Sequence, residues 1–244
     1  MPFDTHRIPT ADGEANAFAA FPDGGGRHPG VLMYPDGFGI RPVIREMARE
    51  LASYGYYVLV PNPFHRHGPA PVVDLPEHIE EEARPALMAR LMPMIESLTV
   101  ERVRGDADAY LRFLTAQPEV APGPAAVTGY CIGGLLAVRT AVAYAERVAA
   151  LAAFHAPVGA DGPDALAGLT ARVHFGHAES DLTPEALSEL NRTLEAAGIA
   201  HSSEIYPGTV HGFTMADTDA FDPAGLKRHW EHLLPLLRGA PAEG

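Results

Sequence analysis

Cys131, the only cysteine in the 244 residues, stands in Gly129-Tyr130-Cys131-Ile132-Gly133-Gly134, with a glycine two positions before it and another two after. The run Ala125 to Gly129 leads in with a strand pattern and a helical pattern leads out from Ile132, so the chain must turn sharply at the cysteine. Such a turn is strained and needs neighbours without side chains. With 24 glycines in the chain, chance would flank the cysteine in this way about once in a hundred. A thiol at a helix N-terminus meets free N–H groups and the positive end of the helix dipole, which favour a nucleophilic thiolate. Attack on a carbonyl then needs donors for the developing oxyanion. The N–H of Ile132 is one expected donor, and that of Gly37, in the loop after an earlier strand, is the second.

An activated cysteine also needs a base and a group to orient it. Of the 12 histidines, His211 is the best placed. It lies on the glycine-bounded stretch Tyr206-Pro207-Gly208-Thr209-Val210-His211-Gly212-Phe213, between the last strand and the last helix. His177, at the end of a strand pattern, is its rival, whereas His174 and His201 read as packed or solvent-facing. Asp181, in the loop Gly176-His177-Ala178-Glu179-Ser180-Asp181-Leu182, is the expected orienting carboxylate and Glu179 the alternative. Asp36, in Pro35-Asp36-Gly37-Phe38, is expected either to contact the resting thiol or simply to form a turn with its glycine.

Positioning these groups requires a regular frame. Short apolar runs alternate with helical stretches along the whole chain, the pattern of an α/β protein with a mostly parallel sheet and helices on both faces. Expected strands are 15–21, 30–34, 57–61, 125–129, 149–154, 171–176 and 203–206. Helices are expected over 42–54, 100–117, 132–145, 184–197 and 223–237. Thr183-Pro184 forms an N-cap and first-turn pair, and Gly198 ends that helix. Residues 62–99 interrupt the alternation, as a surface loop with an irregular helix or as a lid over the site. Met88, Met92, Phe38 and Phe64 either line an apolar pocket or belong to the core. The tail 239–244 reads as a frayed end.

With 47% hydrophobic and 20% charged residues, the chain fits one soluble domain spanning 1–244. The net charge of −13 makes nucleic acid and anionic membranes poor partners. One cysteine allows neither an internal disulfide nor a multi-cysteine zinc site. The N-terminus lacks the features of a signal peptide and no apolar run is long enough to span a membrane, so the expectation is a cytoplasmic protein, monomeric or homodimeric.

From Pro29 to Leu237 the chain resembles the dienelactone hydrolase family, the cysteine-dependent branch of the α/β-hydrolase fold. The elbow around Cys131, the strand entry Gly55-Tyr56-Tyr57-Val58-Leu59-Val60-Pro61, Asp181 and His211-Gly212-Phe213 carry the likeness. The resemblance implies a single α/β-hydrolase domain that opens a lactone or small ester through a Cys131, His211 and Asp181 triad, without metal or organic cofactor. Asp36 stands where the family has a glutamate touching the thiol. The family also has an arginine shortly after the histidine, and here Gly212-Phe213-Thr214-Met215-Ala216-Asp217 has none. Arg84, Arg90, Phe38 and Phe213 are the remaining candidates for holding substrate. A silent scaffold that binds a small ligand or partner is the alternative function class, and a redox-sensing thiol is a further one.

Overall fold

In the computed structural model, which describes residues 1–239, the run Gly30–Tyr34 is buried at all five positions. Val31 and Met33 turn to one apolar cluster, and Leu32 and Tyr34 to another. Val58 and Val60 divide from Tyr57 and Leu59 in the same way. A two-residue period places neighbours on opposite faces, and both faces are covered, so these strands appear in the sequence as unbroken apolar runs.

The elements, in order, are β1 (Phe3–Thr10), β2 (Gly13–Ala20), β3 (Gly30–Tyr34), α1 (Pro42–Ser53), β4 (Tyr57–Pro61), α2 (Arg84–Glu96), α3 (Val100–Thr115), β5 (Ala125–Tyr130), α4 (Ile132–Ala143), β6 (Val148–Phe154), β7 (Arg172–Ala178), α5 (Pro184–Ala196), β8 (His201–Tyr206) and α6 (Pro223–Arg238). The strands form one sheet ordered β1-β2-β4-β3-β5-β6-β7-β8. Its pairs are parallel from β4 to β8 and antiparallel where β2 meets β1 and β4. Helices α1 and α6 pack on one face, and α3, α4 and α5 supply the cluster on the other. This is the single α/β domain expected. Each predicted strand and helix is present, with ends that coincide or shift by at most two residues.

β1 was not expected. Only Ile8 is buried in it, so it shows neither an apolar run nor a full alternation. Pro9 is tolerated because the strand is at the sheet edge. Within 62–99, α2 buries only Leu87 and Leu91 and carries Pro93 near its end, which explains its weak helical signal. The segment is anchored to the stretch between β8 and α6 by Ile79, whose N–H donates to Asp217 O at 2.8 Å and whose carbonyl accepts from Asp219 N at 3.3 Å. Val73, Ile79, Leu87 and Leu91 of this segment form a small apolar cluster with Phe38. Of the tail, residues 240–244 lie outside the described residues.

β3 is flanked by β4 on one side and β5 on the other, so the chain leaves β3 and β5 in opposite directions. Where strand order reverses in this way, the loops at the carboxyl ends diverge and leave a crevice. Cys131 follows β5 and Asp36 follows β3, so both border that crevice.

Candidate active site

Cys131 has φ 54° and ψ −126°, close to the first central residue of a type II′ turn, a position normally given to glycine. The surroundings enforce it. Its N–H donates to Phe154 O on β6 at 3.0 Å, and its carbonyl accepts from Gly134 N at 3.0 Å. A Cβ on Gly129 would fall 2.1 Å from Gly133 O, one on Gly133 2.1 Å from Pro35 O, and one on Gly134 2.4 Å from the Ala156 side chain. The glycines thus let β5, α4 and the β3 loop approach to backbone contact. Gly133→Ala is expected to separate the elbow from the β3 loop, lowering stability by about 3 kcal/mol and removing activity. Gly105→Ala, on α3 where nothing lies within 4 Å, should stabilise by roughly 1 kcal/mol through helix propensity. Paired denaturant titrations check both, and equal effects would contradict the packing account.

His211 Nδ1 lies 2.6 Å from Asp181 Oδ2. Burial alone would lower the imidazole pKa, but the bonds and charges of Asp181 and Cys131 outweigh it and push His211 up to about 10. Side-chain exposures of 31% for His211 and 24% for Asp181 leave the pair open to a small solute. Ser180 ties the two loops together, its hydroxyl accepting from His211 N at 2.9 Å and donating to Asp181 Oδ1 at 3.1 Å. Glu179, the alternative orienter, instead accepts from Gly208 N at 2.6 Å, bracing the same loop. The rival base His177 is bonded through Nε2 to Ser203 Oγ at 3.1 Å, and burial lowers it to about 4.

The amides of Gly37 and Ile132 have no acceptor among the described residues, and a Cβ on Gly37 would lie 4.0 Å from Ile132 Cγ2. Each residue borders a cavity that Cys131 lines. Asp36 is only 4% exposed and gives both oxygens to Arg41, at 2.5 and 3.0 Å, while accepting from Phe38 N at 3.1 Å. Cys131 is not among its hydrogen-bond partners. Arg41 also donates to Asp217 at 2.6 and 3.1 Å. Although burial opposes the charge, the two carboxylates hold the guanidinium pKa above its ordinary value. The Asp36-Arg41-Asp217 triad fixes the Gly37 loop to the loop after His211. Sequence reasoning did not single out Arg41, but there was a signal: it is a cation at the N-cap of α1, where the helix dipole disfavours positive charge.

Two cavities meet at Cys131, His211 and Met88. The smaller, about 220 Å³, is lined by Asp36, Gly37, Phe38, Arg84, His155 and Met215 among others. The larger, about 900 Å³, runs from Ile132 and Met92 to α5. Arg84 also donates to His211 O at 3.2 Å. Arg90 is exposed and lines neither cavity. Phe213 is fully buried behind the site, its ring 5.2 Å from His155 and 5.3 Å from Tyr206. Phe64 belongs to the main core. His155, a residue that no spacing marked, sits just after β6 at φ 39°, bonds Thr214 Oγ1 at 2.8 Å and sets its ring 5.1 Å from that of His211.

The candidate metal ligands among the described residues are elsewhere. His174, Glu204 and His232 bring their ligand atoms within 4.8 Å of one another. His174 is already bonded to Ser202 and Tyr206, and Glu204 to His232 and Arg228, so the group is a closed hydrogen-bond network. None of the three lines the cavities at Cys131.

Comparison with known proteins agrees with this architecture. The sequence profile of the dienelactone hydrolase family matches residues 15–240. A carboxymethylenebutenolidase from a Pseudomonas species is 28% identical over 216 residues, covering 87% of this chain and 85% of its own. Two crystal structures share the fold. One is a dienelactone hydrolase-like promiscuous phosphotriesterase from metagenomic libraries, with a TM-score of 0.76 at 20% identity over 98% of this chain and 99% of that one. The other is the dienelactone hydrolase of Anabaena variabilis, with a TM-score of 0.67 at 18% identity over 98% of each chain. No described helix is long and apolar enough to cross a membrane. An α/β domain with a cysteine elbow, matched almost end to end by that profile, belongs to the dienelactone hydrolase family and is a hydrolase.

Proposed function

We propose that this hydrolase opens a lactone or small ester by covalent catalysis at Cys131. The observation that carries the reading is the Asp181–His211 hydrogen bond of 2.6 Å beside a cysteine held at the apex of a strained elbow. With the proton already resting on His211, Cys131 Sγ attacks the carbonyl carbon as the thiolate. A C–S bond forms, and the π pair moves to the oxygen between the N–H groups of Ile132 and Gly37. As that oxyanion collapses, the C–O ester bond breaks and the departing oxygen takes the proton from His211. His211 then removes a proton from water, which attacks the thioester, and the acid leaves as the C–S bond breaks, returning sulfur to the thiolate with the proton held on His211. With a lactone, the departing oxygen stays tethered to the acyl group.

The substrate class draws support from the Pseudomonas relative, whose name is that of an enzyme acting on a carboxymethylene butenolide, a lactone. Phe38 borders the smaller cavity. Arg84 is its one arginine or lysine among the described residues and is suited to a carboxylate or carbonyl oxygen of the substrate.

Mass spectrometry of protein quenched during p-nitrophenyl acetate turnover tests the reading. An acetyl group is expected on Cys131, accumulating in wild type and absent in His211→Ala. Turnover with no adduct on Cys131, or acetylation that proceeds as fast without His211, would overturn it.

A further inference from the structure

The larger cavity is more than a small lactone needs. At about 220 Å³ the Arg84 side is smaller than typical ligand pockets, whereas the other side, at about 900 Å³, approaches the size that encloses a drug-sized molecule. The two are not separate sites, since Cys131, His211 and Met88 line both. A molecule reacting at Cys131 can therefore extend into either.

Their chemistry differs. The larger cavity is walled by Met92 and Ile95 from α2, Val158 from the stretch after β6, and Leu182, Ala186 and Leu190 from the start of α5 and the loop before it. Its described lining holds no arginine or lysine. The charge of Asp181 is met by the His211 imidazolium beside it, which leaves Glu189 as the unpaired carboxylate of that described lining. An anionic arm would be repelled there, and an uncharged apolar one would lose water-exposed surface. Methionines on one wall adapt to chains of varied shape. Met92 is 39% exposed, which places flexible apolar surface at the rim.

We propose that this groove is a subsite for an uncharged apolar arm of several carbons, attached to the reacting carbonyl on its acyl or its alcohol side. The substrate is then an alkyl-bearing ester or lactone, with its polar end toward Arg84. The proposal rests on the hydrolase reading above.

Two substrate series test it: p-nitrophenyl acetate, butyrate, hexanoate and octanoate, and the acetates of ethanol, butanol, hexanol and octanol. In wild type, kcat/KM should rise by about ten-fold or more along one series, as each buried methylene adds to binding. Ala186→Trp, whose indole would occupy the groove, and Leu182→Asp, which places a charge in it, should each flatten that rise, and either variant that stays folded suffices. Which series responds identifies the arm. Cys131-dependent turnover with no length preference in either series would overturn the subsite and leave the hydrolase reading intact. Absence of Cys131-dependent turnover on every ester would overturn both.

Discussion

Cys131→Ala is expected to lower ester turnover by about a thousand-fold or more while shifting the melting temperature by only a degree or two. The sulfur is the bond-forming atom in the proposed chemistry, and its small side chain contributes little packing. The backbone adds a second expectation, because φ 54° with ψ −126° costs a residue with a Cβ roughly 1–3 kcal/mol that glycine avoids. Alanine keeps that cost, and glycine relieves it. Cys131→Gly should be as inactive as the alanine variant yet more stable than wild type by about 1 kcal/mol. Calorimetry and p-nitrophenyl acetate hydrolysis on the three proteins check both halves. A glycine variant that melts below wild type would show the turn to be unstrained, and an alanine variant keeping a tenth of the activity would remove Cys131 from the chemistry.

Acid should unfold this protein steeply. Burial pushes His174 and His229 down to about 3 and His177 to about 4, and holds His155 well below its ordinary value. Their pKa values in the unfolded chain are about 6.5. These four depressed histidines are neutral in the native state and charged in the unfolded one between those limits. The stability they confer is complete above about pH 6.5 and is lost as pH falls toward 4 and 3. Near pH 5 unfolding should take up about three protons at His174, His229 and His177, a slope of about 4 kcal/mol per pH unit, with His155 adding in the same direction, against a typical total of about 5–15 kcal/mol. His211 has the opposite sign. Raised to about 10, it contributes below pH 6.5 and loses that contribution as pH climbs to 10. Urea midpoints measured from pH 7 to 4 give the slope. His229→Gln, which preserves a partner for the Tyr130 hydroxyl now 3.0 Å from Nε2, should reduce it by about one proton, roughly 1.4 kcal/mol per pH unit. Midpoints unchanged between pH 6.5 and 4.5 would mean that these histidines titrate in the folded protein.

What could be read from the sequence follows from how local each constraint is. The elbow is legible because its strand, turn and helix lie within one short stretch, and the glycines record backbone contacts that no side chain could survive. Thr183, whose hydroxyl accepts from Ala186 N at 3.3 Å, announces α5 for the same reason. β1 left no trace because an edge strand with one buried residue obeys no hydrophobic rule. Arg41 and Asp217 are 176 residues apart, and neither one's neighbours anticipate the pairing. The sequence leaves Asp36 open between facing the sulfur and forming a turn; it accepts the turn bonds from Phe38 N and Gly39 N, and the preference of a buried carboxylate for a bidentate guanidinium decided its side-chain partner. His155 gave no signal because its importance lies in which ring it touches.

The Ser180 hydroxyl accepts from the His211 amide and donates to Asp181, so acid and base are mounted on a common bracket. A displacement of either loop would draw the other with it, so in the proposed chemistry the gap between ring and sulfur is the coordinate that the bracket leaves unrestrained.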